Sequence, residues 1–212
     1  MKRIMLILLS LMMIFGLAAC GGTNGNKDNK TDDNSKKDTP VDVTATPAEI
    51  EQKLADAIGK DNYLCDTDID EDWLKNSYQL DLSKIESYVA KQNSISSVNP
   101  DTVIILKTKD GYADEAVRAI NTYFTQMVSY IHQYPFGAAK VLNTRLYQSG
   151  NYVVYIIAGA LYDGEDTEAE NKLAVSVYAR IDDAIKEVFG AVPENLAVVP
   201  EDDGNNGGLI EG

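Results

Sequence analysis

Ser149-Gly150-Asn151-Tyr152-Val153-Val154-Tyr155-Ile156-Ile157-Ala158 is the stretch that decides the fold. Ser149-Gly150 is a hairpin signal between two extended runs, Val141 to Gln148 and Asn151 to Ala158. In the second run Tyr152, Val154 and Ile156 face one side, and Val153, Tyr155 and Ile157 face the other. A strand apolar on both faces belongs in the interior of a sheet. One face should pack on helices; the other must be covered too, or offer an exposed aromatic surface.

Upstream, Val103-Ile104-Ile105-Leu106 lies within a second such strand, about Thr102 to Thr108. A partner at about Ile85 to Gln92 precedes it across a polar connection that contains Pro100. A long helix joins the two strand pairs. Asp110 is its expected cap, Asp114 and Glu115 occupy its first turn, and Ala113, Ala116, Val117, Ile120, Phe124, Met127, Val128 and Ile131 form its apolar stripe. Tyr134-Pro135 stops it, because the residue before a proline is pushed out of helical conformation.

Two further helices flank this centre. Thr46-Pro47-Ala48-Glu49 has the form of a capping box with proline at the first helical position, and Ile50, Leu54 and Ile58 follow before Gly59. Near the other end, Leu173, Val177, Ile181, Ile185 and Val188 recur at helical spacing and stop at Gly190 and Pro193. The order α-β-β-α-β-β-α predicts an α+β domain of two layers, an antiparallel four-stranded sheet with helices packed on one face. Hairpin pairs separated by a single helix argue against a doubly wound parallel sheet.

The first twenty residues have a different character. Lys2 and Arg3 precede the apolar run Ile4 to Phe15, and small residues lead to Cys20, the tripartite form of an export signal. Ile4 to Ala19 includes Ser10 and Gly16 and is short for a membrane span, which takes roughly 20 apolar residues. Leu17-Ala18-Ala19-Cys20 resembles a bacterial lipobox. The expectation is therefore a signal peptide over 1–19 and a diacylglyceryl group on the Cys20 sulfur, whose acyl chains anchor the chain without a protein span. An ordinary secretory cut that leaves Cys20 as a plain thiol is the simpler alternative.

Residues 20–46 are rich in Gly, Asn, Lys and Asp, the composition of a tether that cannot bury enough apolar surface to order itself. Residues 47–200 form the expected single domain, and the acidic, Gly/Asn-rich 201–212 an expected frayed tail.

Charge narrows the partners. Nineteen Lys and Arg against 33 Asp and Glu give a formal net charge of −14, which disfavours nucleic acid and flat adsorption on an anionic bilayer. With Cys20 acylated, Cys65 is the only other thiol, so no internal disulfide framework is expected, and Cys65 reads as a small buried apolar side chain.

Asp66-Thr67-Asp68-Ile69-Asp70-Glu71-Asp72 begins like a calcium loop, but Glu71 stands where the sharp turn needs Gly, and Ser77 where the bidentate Glu belongs. A solvated acidic turn into a short helix around Trp73 and Leu74 is the reading, with no metal. The single histidine, His132, sits in the last turn of the long helix with no neighbouring partner for acid–base work. No catalytic, cofactor-binding or metal residue is assigned.

The lipobox, the polar tether, Val103-Ile104-Ile105-Leu106, the helix ending at Tyr134-Pro135 and the Gly150-Asn151-Tyr152-Val153 segment together resemble an uncharacterised lipoprotein family of Firmicutes, especially clostridia, catalogued as domain of unknown function 4358. The resemblance spans roughly Tyr63 to Ala160. It implies the outer face of the cytoplasmic membrane and lends no catalytic residue.

The expected function is that of a lipid-anchored binding or interaction module at the cell envelope, with an unidentified envelope protein or ligand as partner. Its twelve tyrosines suit such contacts, although most of them also suit half-buried strand faces. The alternative is an envelope hydrolase using paired carboxylates, which would show a concave pocket with a carboxylate of raised pKa. A two-lobed solute receptor needs a longer ordered chain.

Overall fold

A computed structural model describes residues 43–95 and 99–200. The lipidation site Cys20, the signal peptide and the acidic C-terminal segment lie outside the described residues.

Helix α1 (Pro47–Ile58) opens with the expected capping box: the Glu49 N–H donates to the Thr46 hydroxyl, and the Glu49 carboxylate accepts from the Thr46 N–H at 2.8 Å. A two-residue strand β1 (Thr67–Asp68) leads to α2 (Glu71–Asn76), capped by Asp70 through a 2.7 Å bond from the Trp73 N–H. Strands β2 (Ile85–Gln92) and β3 (Thr102–Thr108) follow, then α3 (Ala113–Gln133), a short α4 (Ala138–Leu142), β4 (Arg145–Ser149), β5 (Tyr152–Ile157) and α5 (Thr167–Phe189).

The sheet is antiparallel throughout, in the order β1-β2-β3-β5-β4. The α+β class and the antiparallel sheet are as the sequence implies. Two details differ. The sheet has five strands rather than four, because exposed Thr67 and Asp68 pair with Gln92 and Lys91 on the outer edge of β2. Two exposed residues carry no apolar alternation, so only an acidic turn was legible there.

Helices also cover both faces, making three layers rather than two. Ile104, Leu106, Val153, Tyr155 and Ile157 pack under α3, while Val103, Ile105, Tyr152, Val154 and Ile156 pack under α1 and α5. The cause is the double-sided apolarity of β3 and β5. Every residue of β5 is buried, so both of its faces require a helical layer.

The β4–β5 hairpin turns on Gly150-Asn151, with Gly150 at φ 55, the positive value that the first central position of a type II′ turn needs. Strand β4 begins at Arg145 rather than Val141, because Val141 belongs to α4 and lies in the core on the α3 side. Nor does Asp110 cap α3. Its carboxylate accepts from the Asn151 side chain at 2.7 Å and so ties the turn before α3 to the hairpin, while the helix starts without a side-chain cap.

After α5 the chain runs back along the open side of β4. The Leu196 N–H donates to the Leu146 carbonyl at 2.7 Å, and the Asn195 side chain accepts from the Leu146 N–H and donates to the Thr144 carbonyl, both at 2.9 Å.

Tyr155, fully buried, packs edge-on against Phe124 at 6.1 Å and against Tyr78 at 6.5 Å. Its hydroxyl has no hydrogen-bond partner among the described residues. An unpaired buried hydroxyl costs about 1–3 kcal/mol, so Tyr155→Phe should hold or raise the melting temperature. A fall of several degrees in a thermal scan would show that the hydroxyl is paired after all.

Candidate functional site

The sheet has two distinct ends. At one, the Tyr152 hydroxyl at the start of β5 donates to the Ala45 carbonyl at 2.8 Å, so the chain comes into the domain there. At the other, about 20 Å along β5, gather the start of β3, the residues after β5, and α4. The C-terminal turn of α3 reaches this same end, since 21 residues of helix span about 31 Å.

This second end holds a buried polar cluster. Asn99-Pro100-Asp101 leads into β3, and Lys140 projects from α4. All three polar residues are enclosed: Asn99 is 3 % exposed, Asp101 0 % and Lys140 4 %. The Lys140 Nζ lies 2.5 Å from Asp101 Oδ1, 2.6 Å from Asn99 Oδ1 and 3.0 Å from the Gly159 carbonyl oxygen. The Asp101 N–H donates to Asn99 Oδ1 at 3.3 Å.

Local backbone chemistry builds this arrangement. Pro135 ends α3, and Gly137, at φ 70, turns the chain into α4. A Cβ at position 137 would stand 3.2 Å from Lys140 Cε and 3.4 Å from Pro100 Cδ, so glycine leaves the lysine stem its path. The hydroxyl of fully buried Tyr178, from α5, donates to the Lys140 carbonyl at 2.7 Å and fixes the backbone from the other side.

Burial disfavours both charges of the pair. It pushes the Asp101 carboxyl up to about 6 against the opposing pull of Lys140, and it lowers the Lys140 ammonium. Neither Asp101 oxygen has a hydrogen bond of regular geometry; the carboxyl is held by the adjacent ammonium instead. The crevice beside Lys140, lined by Ala139, Gly159, Ala160, Glu170, Ala174 and Val177 among others, leaves about 10 Å³, space for one water and no substrate. So Asp101 carries the raised pKa sought in a hydrolase, but it faces no open cleft.

On the surface of the same end lie Tyr130, Tyr134 and Phe136, exposed by 52 %, 59 % and 47 %. The two tyrosine rings stack at 5.0 Å with planes tilted by 34°. From Ala116 through Tyr162 the sequence contains no Asp or Glu, so an otherwise strongly acidic chain presents these aromatics on a segment free of carboxylates.

The other residues weighed from sequence take no part in this cluster's ion pair or hydrogen bonds. Asp66 accepts from the Ser94 N–H and hydroxyl at 2.7 and 2.9 Å, and Asp70 caps α2, so two carboxylates of the acidic turn hold backbone. No group of three or more His, Cys, Asp or Glu among the described residues is placed to hold a metal. Cys65 is buried, and burial pushes its thiol far above the ordinary range, leaving it protonated. His132 sits in the last turn of α3.

Asp101 and Lys140 escaped the sequence reading because they lie far apart in the chain, Asp101 at the end of a polar connection and Lys140 just before a run that reads as a strand. The available signal was a lone lysine set between Ala138-Ala139 and Val141-Leu142.

No helix among the described residues is long and apolar enough to cross a membrane. Comparison with curated proteins finds no match, and neither does comparison with solved structures. Residues 60–158, from the loop after α1 to the end of β5, match one family model, that of the Domain of unknown function (DUF4358).

Proposed function

We propose that the protein is a lipoprotein, anchored through Cys20 at the extracytoplasmic face of the cell membrane, whose domain binds an envelope protein or ligand through the end that carries Tyr130, Tyr134 and Phe136. The observation that carries this reading is the stacked, half-exposed Tyr130–Tyr134 pair with Phe136 beside it in sequence. Large aromatic side chains gathered on a surface favour burial against a partner and supply much contact area at small entropic cost. The described chain comes into the domain beside Tyr152, at the end of β5 opposite the aromatic residues. The leader and lipobox residues support the anchor.

The test pairs two measurements. Mass spectrometry of the processed N-terminus should find a diacylglyceryl group on Cys20; an unmodified thiol would refute the anchor. Capture from envelope extract should retain a partner that the double variant Tyr130→Ser, Tyr134→Ser loses, each tyrosine contributing about 2 kcal/mol or more if it is a hot spot. The variant should unfold within about 0.5 kcal/mol of the parent, because both rings are exposed. Equal capture by parent and variant would move the contact surface elsewhere.

A further inference from the structure

Three reactive groups meet in the buried cluster: an amine, a carboxamide and a carboxyl, in a place withdrawn from bulk solvent. We propose that Asn99, Asp101 and Lys140 form an autocatalytic site that joins Lys140 Nζ to Asn99 Cγ as an intramolecular isopeptide bond, with release of ammonia.

The geometry supplies each part. The nucleophile is the Lys140 amine, whose nitrogen already touches the Asn99 carboxamide at 2.6 Å. The acid–base group is the Asp101 carboxyl, 2.5 Å from that nitrogen and in contact with the Asn99 amide. The Asp101 N–H, aimed at Asn99 Oδ1 from 3.3 Å, stands where negative charge develops when the carbonyl is attacked. Enclosure does the rest, since burial of all three side chains holds the reactants against one another and away from bulk water.

The balance closes without an added reagent. Within the pair, one proton passes from the Lys140 ammonium to Asp101, which yields the free amine and the neutral acid. Burial favours this exchange, because it raises the carboxyl and lowers the amine. The nitrogen lone pair then forms a bond to Asn99 Cγ, and the carbonyl π pair moves to Oδ1, under the Asp101 N–H. A second proton travels from Nζ through the Asp101 carboxyl to the Asn99 nitrogen. As the carbonyl reforms, the Cγ–Nδ2 bond breaks and ammonia leaves, while Asp101 retains the first proton. Nothing is oxidised or reduced.

Two further observations fit. The Asp101 carboxyl, fully buried, touches both reacting groups, the Lys140 ammonium at 2.5 Å and the Asn99 side chain. The only cysteine among the described residues is free, so a tie between the start of β3 and α4 cannot be a disulfide.

Intact mass spectrometry of the purified, denatured full chain tests this. The expected result is a deficit of about 17 Da, one ammonia, relative to the sequence mass after any N-terminal processing. Tryptic digestion should give a branched peptide that joins the Asn99 and Lys140 segments, with no cleavage after Lys140. Lys140→Arg, Asn99→Ala and Asp101→Asn should each restore the full mass. Finding the branched peptide in the parent protein does not depend on any variant folding. Full mass in the parent, or a deficit that persists in Lys140→Arg, would overturn the proposal. A deficit of about 18 Da, one water, would overturn the role of Asn99 by putting the bond on the Asp101 carboxyl. A deficit retained in Asp101→Asn would overturn the role of Asp101.

Discussion

Lys140→Ala lowers the free energy of unfolding by about 3–5 kcal/mol. The loss does not come from the attraction between two charges, which in a protein interior roughly offsets their desolvation. It comes from what remains: Asp101, fully buried, with neither oxygen regularly hydrogen-bonded and no cation in contact. That carboxyl must then fold protonated or stay charged in a medium that solvates it poorly. A domain of this size has about 5–15 kcal/mol in all, so the change removes a large share.

Urea titration at neutral pH gives the number, and the double variant Asp101→Ala, Lys140→Ala supplies the control. Without an orphaned charge it should recover part of the loss despite the larger cavity. A single variant within about 0.5 kcal/mol of the parent would mean that Lys140 is a surface residue. If the ε-amine is bonded to Asn99, the single change also removes a covalent tie, and the loss is larger still.

Phe124→Ala costs a similar amount for a different reason. Phe124 is fully buried in the layer between α3 and the sheet, edge-on to Tyr155 at 6.1 Å. Truncation loses the transfer free energy of the ring and leaves a cavity that β3, β5 and α3 are too constrained to close, about 3–5 kcal/mol together. The ring contact adds about 0.5–1.5 kcal/mol beyond the area term. Phe124→Leu, which keeps most of the volume, should lose much less. Equal losses for the two variants, by denaturant midpoint, would show that shape rather than volume dominates there.

How far the residues announce this architecture depends on what each element buries. The capped helix from Pro47, the strands at Ile85–Gln92 and Thr102–Thr108 and the stripe of α3 were legible, because local chemistry and tertiary packing agree there. The two-residue β1 was not, since its pairing is set by β2 and not by its own exposed side chains. Tyr152-Val153-Val154-Tyr155 left two outcomes open for the second face, a cover or an exposed aromatic surface, because a pattern apolar on both sides does not say what lies over each. Val141 was read as strand because a short apolar run serves helix and strand alike. The polar cluster was the least legible part. Asn99, Asp101 and Lys140 mean little singly, and only the turn at Gly137 brings the lysine against the other two.

The segment after α5 has a consequence beyond the domain's own stability. By taking both outward-facing backbone groups of Leu146, Asn195 and Leu196 fill the lane that a sixth strand would occupy. An uncovered strand edge recruits its like. With that lane filled at mid-strand, a neighbouring molecule at high local density finds no continuous amide row along β4 on which to stitch sheet to sheet.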